Sequence, residues 1–330
     1  MATVSANRVV HARAPGKITL FVKVGLFGEG GACELAAAYQ AVSLFEDVRA
    51  VDSDRFTVSF DLSDTGTGAV SAIRGGAADA RVNPWIDIPT DGSNLAIKAA
   101  RMLARTSGHT GGVHLEITKR VPVAGGMGGA AADAAATLLA CEQLWQTGQS
   151  KDELASLAQA LGSEVAFAFT GGTAIGSSRD AELNPALAQG QFHWVLALPD
   201  FGLDTPAVFE ALDAHRNRHI LDISPAAERP IVERDVLQAI RAGDCHMLAE
   251  CLHNDLQAAA LQLAPTLADV LESGEKNGAL VGILTGSGPS IAFLAEDADS
   301  SLILHRALTD LGHDAVRVVG PVHGARLVEP

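Results

Sequence analysis

Four glycines crowd the run Pro122-Val-Ala-Gly-Gly-Met-Gly-Gly-Ala-Ala-Ala-Asp133: Gly125, Gly126, Gly128 and Gly129. Glycine reaches backbone dihedrals that other residues avoid and lets a ligand approach the main chain closely. The alanines that follow favour helix. A glycine turn feeding a helix N-terminus suits an anion, because unbonded N–H groups and the positive end of the helix dipole face the ligand together. The stretch therefore reads as a phosphate cradle. A tight turn before an alanine-rich core helix is the alternative, since short glycine motifs also occur without function. The run is not Gly-x-x-x-x-Gly-Lys-Ser/Thr, and it lacks the glycine spacing and downstream acid of a dinucleotide fingerprint.

Two charged side chains stand in unusual surroundings. Lys17 follows Pro15-Gly16 and interrupts two strand-like runs, Arg8 to Ala14 and Ile18 to Val24. It reads either as an edge lysine that discourages strand pairing or as a cation aimed into a cleft. Glu164 follows Gly162 and is expected between a helix ending at Leu161 and an apolar strand, Val165 to Phe169. There it is either a solvent-facing loop carboxylate or a partly buried one that handles a proton. A second glycine turn, Thr285-Gly-Ser-Gly-Pro-Ser290, lies between two apolar runs and predicts a hairpin.

Metal chemistry finds little support. Cys33, Cys141, Cys245 and Cys251 contain no Cys-x-x-Cys pair and read as reduced structural thiols. His246 and His253 would share one face of a helix, but Cys245 and Cys251 would not join them, so no tetrahedral site is expected.

Around these residues the sequence lays out alternating strands and helices. Val42 to Val48, Phe56 to Phe60 and Val113 to Lys119 read as strands, while Glu34 to Ser43 is ambiguous. Ser63 to Asn83 is rich in Gly, Ala, Ser and Asp and reads as a flexible insertion on a hairpin. Asn94 to Thr106 is an amphipathic helix with Leu95, Ala99, Met102 and Leu103 on one face. Ser150-Lys-Asp-Glu153 is a capping box. Phe192 to Leu198 is a buried strand, and Thr205-Pro206 is expected to cap a helix that carries Phe209. Ala239 to Ala260 is helical with a break near Gly243-Asp244; Ser301 to Leu311 and Ala315 to Val319 form a last helix and strand. The interleaving gives an α+β protein of two domains, with the boundary at 185/186.

The 330 residues, 48% hydrophobic and 19% charged, suffice for two cores. A net charge of −15 with no basic run argues against nucleic acid or an anionic membrane as partner. Met1 to Ala14 has no apolar signal core and no apolar span of transmembrane length appears, so a cytoplasmic location is expected.

Pro15-Gly-Lys17, the glycine loop at Pro122 to Ala131 and Thr285-Gly-Ser-Gly-Pro289, in this order, resemble the GHMP kinase superfamily. The similarity spans almost the whole chain and includes Glu34-Leu35, Ala41-Val-Ser-Leu44, Asn94-Leu95, Leu161-Gly-Ser163 and Asn254-Asp-Leu256. It is greatest to the branch that phosphorylates the 2-hydroxyl of 4-diphosphocytidyl-2-C-methyl-D-erythritol in non-mevalonate isoprenoid synthesis. The resemblance implies an N-terminal domain like ribosomal protein S5 domain 2 and a ferredoxin-like C-terminal domain. It implies ATP with Mg²⁺, a small-molecule acceptor, and a monomer or weak homodimer.

By the same resemblance Pro122, Gly125, Gly126, Met127, Gly128, Gly129, Ala130, Ala131 and Asp133 hold the nucleotide. Lys17 and Glu164 are the catalytic pair. Thr19, Cys33, Thr205, Phe209, Gly286, Ser287 and Gly288 face the acceptor, with Phe209 stacking on the cytosine. The metal ligands are left unassigned.

Several polar positions depart from the family pattern. Thr19 stands for an asparagine, Ala32-Cys33 for a tyrosine-histidine pair, Ala131 for a serine that serves phosphate or Mg²⁺, and Glu164 for the catalytic aspartate. Two further readings follow: a kinase with a different alcohol acceptor, and a nucleotide-binding protein with impaired catalysis.

Overall fold

Alternating apolar residues draw Val9–Phe27 into one long strand, β1, antiparallel to β2 (Cys33–Ser53). The computed structural model describes residues 8–28, 33–62, 81–82, 88–177, 183–219 and 226–329. Beyond β2 come β3 (Phe56–Asp61), β4 (Arg81–Val82), helix α1 (Leu95–Ser107) and β5 (Gly112–Thr118). β5 lies between β2, antiparallel, and β3, parallel. Asn94 caps α1, accepting from the Ala96 and Ile97 amides. Helix α2 (Gly129–Trp145) is followed by α3 (Lys151–Leu161), α4 (Ser163–Thr170), β6 (Thr173–Ser177) and β7 (Leu183–Pro185). The capping box at Ser150 and Glu153 forms in both directions. Helix α2 has buried residues nearly all round, so it is the central helix of the N-terminal core against α1, β1 and β2.

Strand β8 (Phe192–Ala197) leads to β9 (Gly202–Leu203), α5 (Thr205–Arg218), α6 (Arg234–Ala242), α7 (Cys245–Cys251) and β10 (His253–Asn254). Then follow α8 (Gln257–Leu263), α9 (Thr266–Lys276), β11 (Val281–Leu284), β12 (Ile291–Ala295), α10 (Ala298–Asp310), β13 (Ala315–Gly320) and β14 (Arg326–Leu327). One antiparallel sheet has the order β11-β12-β8-β13, the order of a ferredoxin-like unit. β10 and β14 leave this half and pair with β1. The long strand that carries Lys17 is thus held from both halves of the chain.

The structure corrects several expectations. Lys17 does not separate two strands; it sits in β1 beside a bulge where Gly16 and Val42 to Leu44 fall out of register. Val165 to Phe169 is helix, within α4, because a short apolar run has no periodicity that separates buried strand from buried helix. Gly162, at φ +145°, ends α3 and starts α4, so Glu164 lies in the first turn of a helix. Asp204 rather than Thr205 caps α5, accepting from the Ala207 amide. Helix α7 stops at Cys251 and His253 belongs to β10, so the two histidines do not share a helix face. Most of the insertion expected from Ser63 to Asn83 lies outside the described residues, as does Ala32.

Candidate active site

The bulge in β1 turns Lys17 inward. Its main-chain N–H donates to the Met127 carbonyl at 2.9 Å, fixing the strand to the glycine loop. Its ammonium donates to Thr19 Oγ1 at 3.2 Å, lies 3.5 Å from Glu164 Oε1, and sits 4.7 Å from the centre of the Tyr39 ring. Lys17 is buried and lines neither of the two cavities beside it, whereas Glu164 is half exposed. Burial, and then the charge of Glu164, push the Tyr39 hydroxyl pKa upward.

The glycine loop runs from the end of β5 to α2. Ala124, Gly126 and Gly128 all have positive φ. Gly128 is the N-cap of α2 and no side chain caps that terminus, nor does its first turn carry an acidic residue. Its leading amides are left for a ligand of negative charge. Met127 buries its side chain completely with Val121 in the apolar core, so within the loop it acts as an anchor.

A cavity of about 570 Å³ opens on this loop and is lined by Pro122 to Ala131, Lys119, Asp133 and Glu164, and also by Asn94 and Pro89. A second cavity of about 420 Å³ is lined by Leu35, Tyr39, Gln159, Ser177 and Leu183, and shares Gly162, Ser163 and Glu164 with the first. Glu164 therefore stands on the wall common to both.

Thr285 fastens the third motif to the other two. Its hydroxyl accepts from the Thr19 N–H at 3.0 Å and donates to the Gly126 carbonyl at 3.3 Å. Gly126 and Thr285 are in such close approach that a Cβ on Gly126 would lie 1.9 Å from the Thr285 oxygen. Asn254 in turn donates to the Leu284 and Gly286 carbonyls at 2.8 Å each. All three motifs are thus joined by direct hydrogen bonds around Lys17.

Beneath the loop lies a buried ionic group. Lys119 Nζ is 2.7 Å from Glu46 Oε1 and 2.8 Å from Asp133 Oδ2. Burial pushes both carboxyl pKa values up, while the Lys119 ammonium opposes it. Asp133 Oδ1 has no hydrogen-bond partner.

The residues expected at the acceptor end are less tightly gathered. Thr205 and Ser287 meet hydroxyl to hydroxyl at 2.9 Å. Phe209 stands edge-on to Phe27, ring centres 6.5 Å apart, in an apolar cluster that also holds Cys33. Thr19, Cys33, Thr205, Phe209, Gly286, Ser287 and Gly288 line neither of the two cavities. Sequence reasoning missed Tyr39, Glu46, Lys119 and Thr285. Tyr39 is the one tyrosine of the chain, two residues from Ala37 and Ala41 on one face of β2. Glu46 is the first of two adjacent carboxylates, Glu46-Asp47, that follow the run Val42-Ser-Leu-Phe, and the sequence does not show which of them is buried or that its partners lie far along the chain. Among the described residues no group of three or more His, Cys, Asp and Glu side chains is arranged to hold a metal ion.

Residues 94–174 match the GHMP kinases N terminal domain and residues 236–314 the GHMP kinases C terminal domain. The chain is 53% identical to a protein of Clavibacter michiganensis subsp. michiganensis named 4-diphosphocytidyl-2-C-methyl-D-erythritol kinase, over 98% of each chain. It is 54% identical to a protein of the same name from Leifsonia xyli subsp. xyli, over 97% of this chain and 98% of the relative. Among solved structures it resembles a 4-(cytidine 5'-diphospho)-2C-methyl-D-erythritol kinase, with TM-score 0.69 and 24% identity over 94% of this chain and 99% of the other. It also resembles a homoserine kinase from Cytophaga hutchinsonii, with TM-score 0.68 and 16% identity over 99% and 100%.

Proposed function

The chain belongs to the GHMP kinase family, and we propose that it transfers the γ-phosphoryl group of ATP to the 2-hydroxyl of 4-diphosphocytidyl-2-C-methyl-D-erythritol. The observation that carries this reading is the pair of relatives of that name, 53% and 54% identical over nearly the full length of each chain. The site is consistent with it. Phosphoryl transfer asks for positioning and charge stabilisation more than for covalent chemistry.

In this reading the triphosphate lies in the larger cavity, on the uncapped N-terminus of α2. Lys17 stabilises the charge on the transferring phosphoryl group. Glu164, on the wall between the two cavities, accepts the acceptor's hydroxyl proton, and the acceptor approaches from the side of Tyr39. Thr205, Phe209 and Ser287 hold its far end, and Thr19 orients Lys17. Mg²⁺ belongs to this proposal, since magnesium in such sites neutralises phosphate charge and is held mostly by the nucleotide with one or two carboxylates. Asp133 fits that need: its unpartnered Oδ1 is buried in a residue lining the cavity, and it is the side chain that would hold the ion.

A 1–185 N-terminal ATP-binding domain and a 186–330 C-terminal domain, action in the cytoplasm, and a monomer or weak homodimer are further parts of the proposal. Among the described residues no helix is long and apolar enough to cross a membrane.

The test is a coupled assay of ADP release with 4-diphosphocytidyl-2-C-methyl-D-erythritol beside homoserine, mevalonate and other small alcohols, with the product located by phosphorus NMR. Turnover confined to the cytidyl acceptor supports the proposal. Turnover on another alcohol replaces the acceptor. Calorimetric ATP binding without turnover on any leaves a nucleotide-binding homologue.

A further inference from the structure

Glu46 lies wholly buried on β2, and none of its atoms lines the larger cavity, yet its carboxylate reaches the point where the chain leaves β5 for the glycine loop. Oε2 accepts from the Arg120 N–H and Oε1 from the Val121 N–H, both at 3.2 Å. Oε1 also meets the Lys119 ammonium at 2.7 Å. Lys119 passes the connection onward, donating to Asp133 Oδ2 in α2 at 2.8 Å. The loop is therefore gripped at its start by Glu46 and just after its end by Asp133, through one lysine. Gly129, the first residue of α2, rests against this group: a Cβ there would lie 3.1 Å from Glu46 Oε1 and 3.4 Å from Lys119 Nζ.

We infer that Glu46 is the positioning residue of the phosphate loop, setting the height and tilt of the α2 N-terminus from beneath without touching the nucleotide. The inference rests on the reading that the larger cavity takes ATP. The groups bonded to Glu46 are all donors, so the site is built for a carboxylate's acceptor-only oxygens. Apolar packing would hold the loop less directionally. Three hydrogen bonds on one buried group, two of them to consecutive main-chain amides, fix orientation as well as depth.

The test is Glu46→Gln in the full chain. An amide in either orientation turns its NH₂ toward a donor, the Arg120 N–H in one case and Lys119 with Val121 in the other, at nearly constant side-chain volume. The expected result is a Kd for ATP raised about tenfold or more, the scale of removing one charge-assisted hydrogen bond. The acceptor KM should stay within about twofold, with Glu46→Asp recovering part of the loss. A purely structural role would weaken both substrates together in step with the melting temperature, and that result, or an unchanged ATP Kd, overturns the inference. Should the variant not fold, hydrogen exchange on the unaltered protein decides. The Arg120 and Val121 amides should be strongly protected without nucleotide, and fast exchange there overturns the inference. A parent protein that binds no ATP rejects the proposed function itself; the exchange measurement still stands apart from that outcome.

Discussion

Lys17 Nζ and Glu164 Oε1 stand 3.5 Å apart, although one belongs to a strand bulge and the other to the first turn of a helix nearly 150 residues later. The bulge matters because side chains alternate along a strand. By taking Gly16 out of register it lets Lys17 and Thr19 face the glycine loop while β1 continues as one strand.

Lys17→Met should fold, since the apolar stem is kept and the partner left behind, Glu164, is half exposed and can be solvated. The expected outcome is a melting temperature within a few degrees of the parent and kcat lower by about 10² or more, the scale seen when one electrostatic donor to a transition state is removed. Steady-state kinetics beside a thermal melt checks both. A variant that turns over at the parent rate removes Lys17 from the chemistry.

Much of this frame could be read in the sequence because its signals are local. The capping box at Ser150, the amphipathic helix beginning near Asn94, the break at Gly243 and the second glycine turn each depend on residues a few positions apart, and each forms. The α4 segment could not be read: Val165 to Phe169 is apolar throughout, so packing rather than pattern decides between strand and helix. The ionic group beneath the loop was equally hidden, since Glu46, Lys119 and Asp133 meet only after β2, β5 and α2 are assembled.

Gly126→Ala should be damaging for a reason internal to the protein. Its φ is +76° and the added Cβ would meet the Thr285 carbonyl at 1.9 Å, so the two loops must part. Left-handed strain and overpacking together place the cost at about 2–4 kcal/mol. Gly148→Ala is the control: its φ is +77° with nothing within 4 Å, so only the dihedral cost of about 1 kcal/mol remains, with activity kept. Denaturant unfolding of both variants measures the difference. Equal destabilisation would mean that the Thr285 loop yields easily to the added methyl group.

Acid should loosen the attachment of α5 to β1. Arg216 on α5 bonds the Val24 and Gly25 carbonyls and Asp255, which also accepts from the Val24 N–H and meets His253. Burial works to raise the Asp255 pKa, but the bonds from His253 and Val24 and the charges of His253 and Arg216 outweigh it, and the net shift is downward. A depressed carboxyl pKa adds stability above the unfolded value of about 3.9 and loses it as pH falls from there through the folded value. Asp255→Asn should therefore be less stable than the parent at pH 7, with the gap closing below about pH 3.9. Urea midpoints across pH measure it; a gap that does not depend on pH would assign the loss to packing.

Glu164 is the residue on which the assignment of chemistry turns. The family pattern implies an aspartate here, which suggests a carboxylate displaced by one methylene. The structure argues otherwise, because the full length of the glutamate is what brings Oε1 within 3.5 Å of Lys17 from the first turn of α4. Glu164→Asp should then draw the carboxylate back by about 1 Å and lower kcat by about 10²-fold, with ATP affinity kept. Glu164→Gln keeps the length and removes the proposed base, so it should be at least as slow while still binding ATP. An Asp variant as fast as the parent would show that the distance to Lys17 does not govern the rate. A Gln variant as fast as the parent would move proton acceptance to another group, and the ion pair would then serve only to hold Lys17 in place.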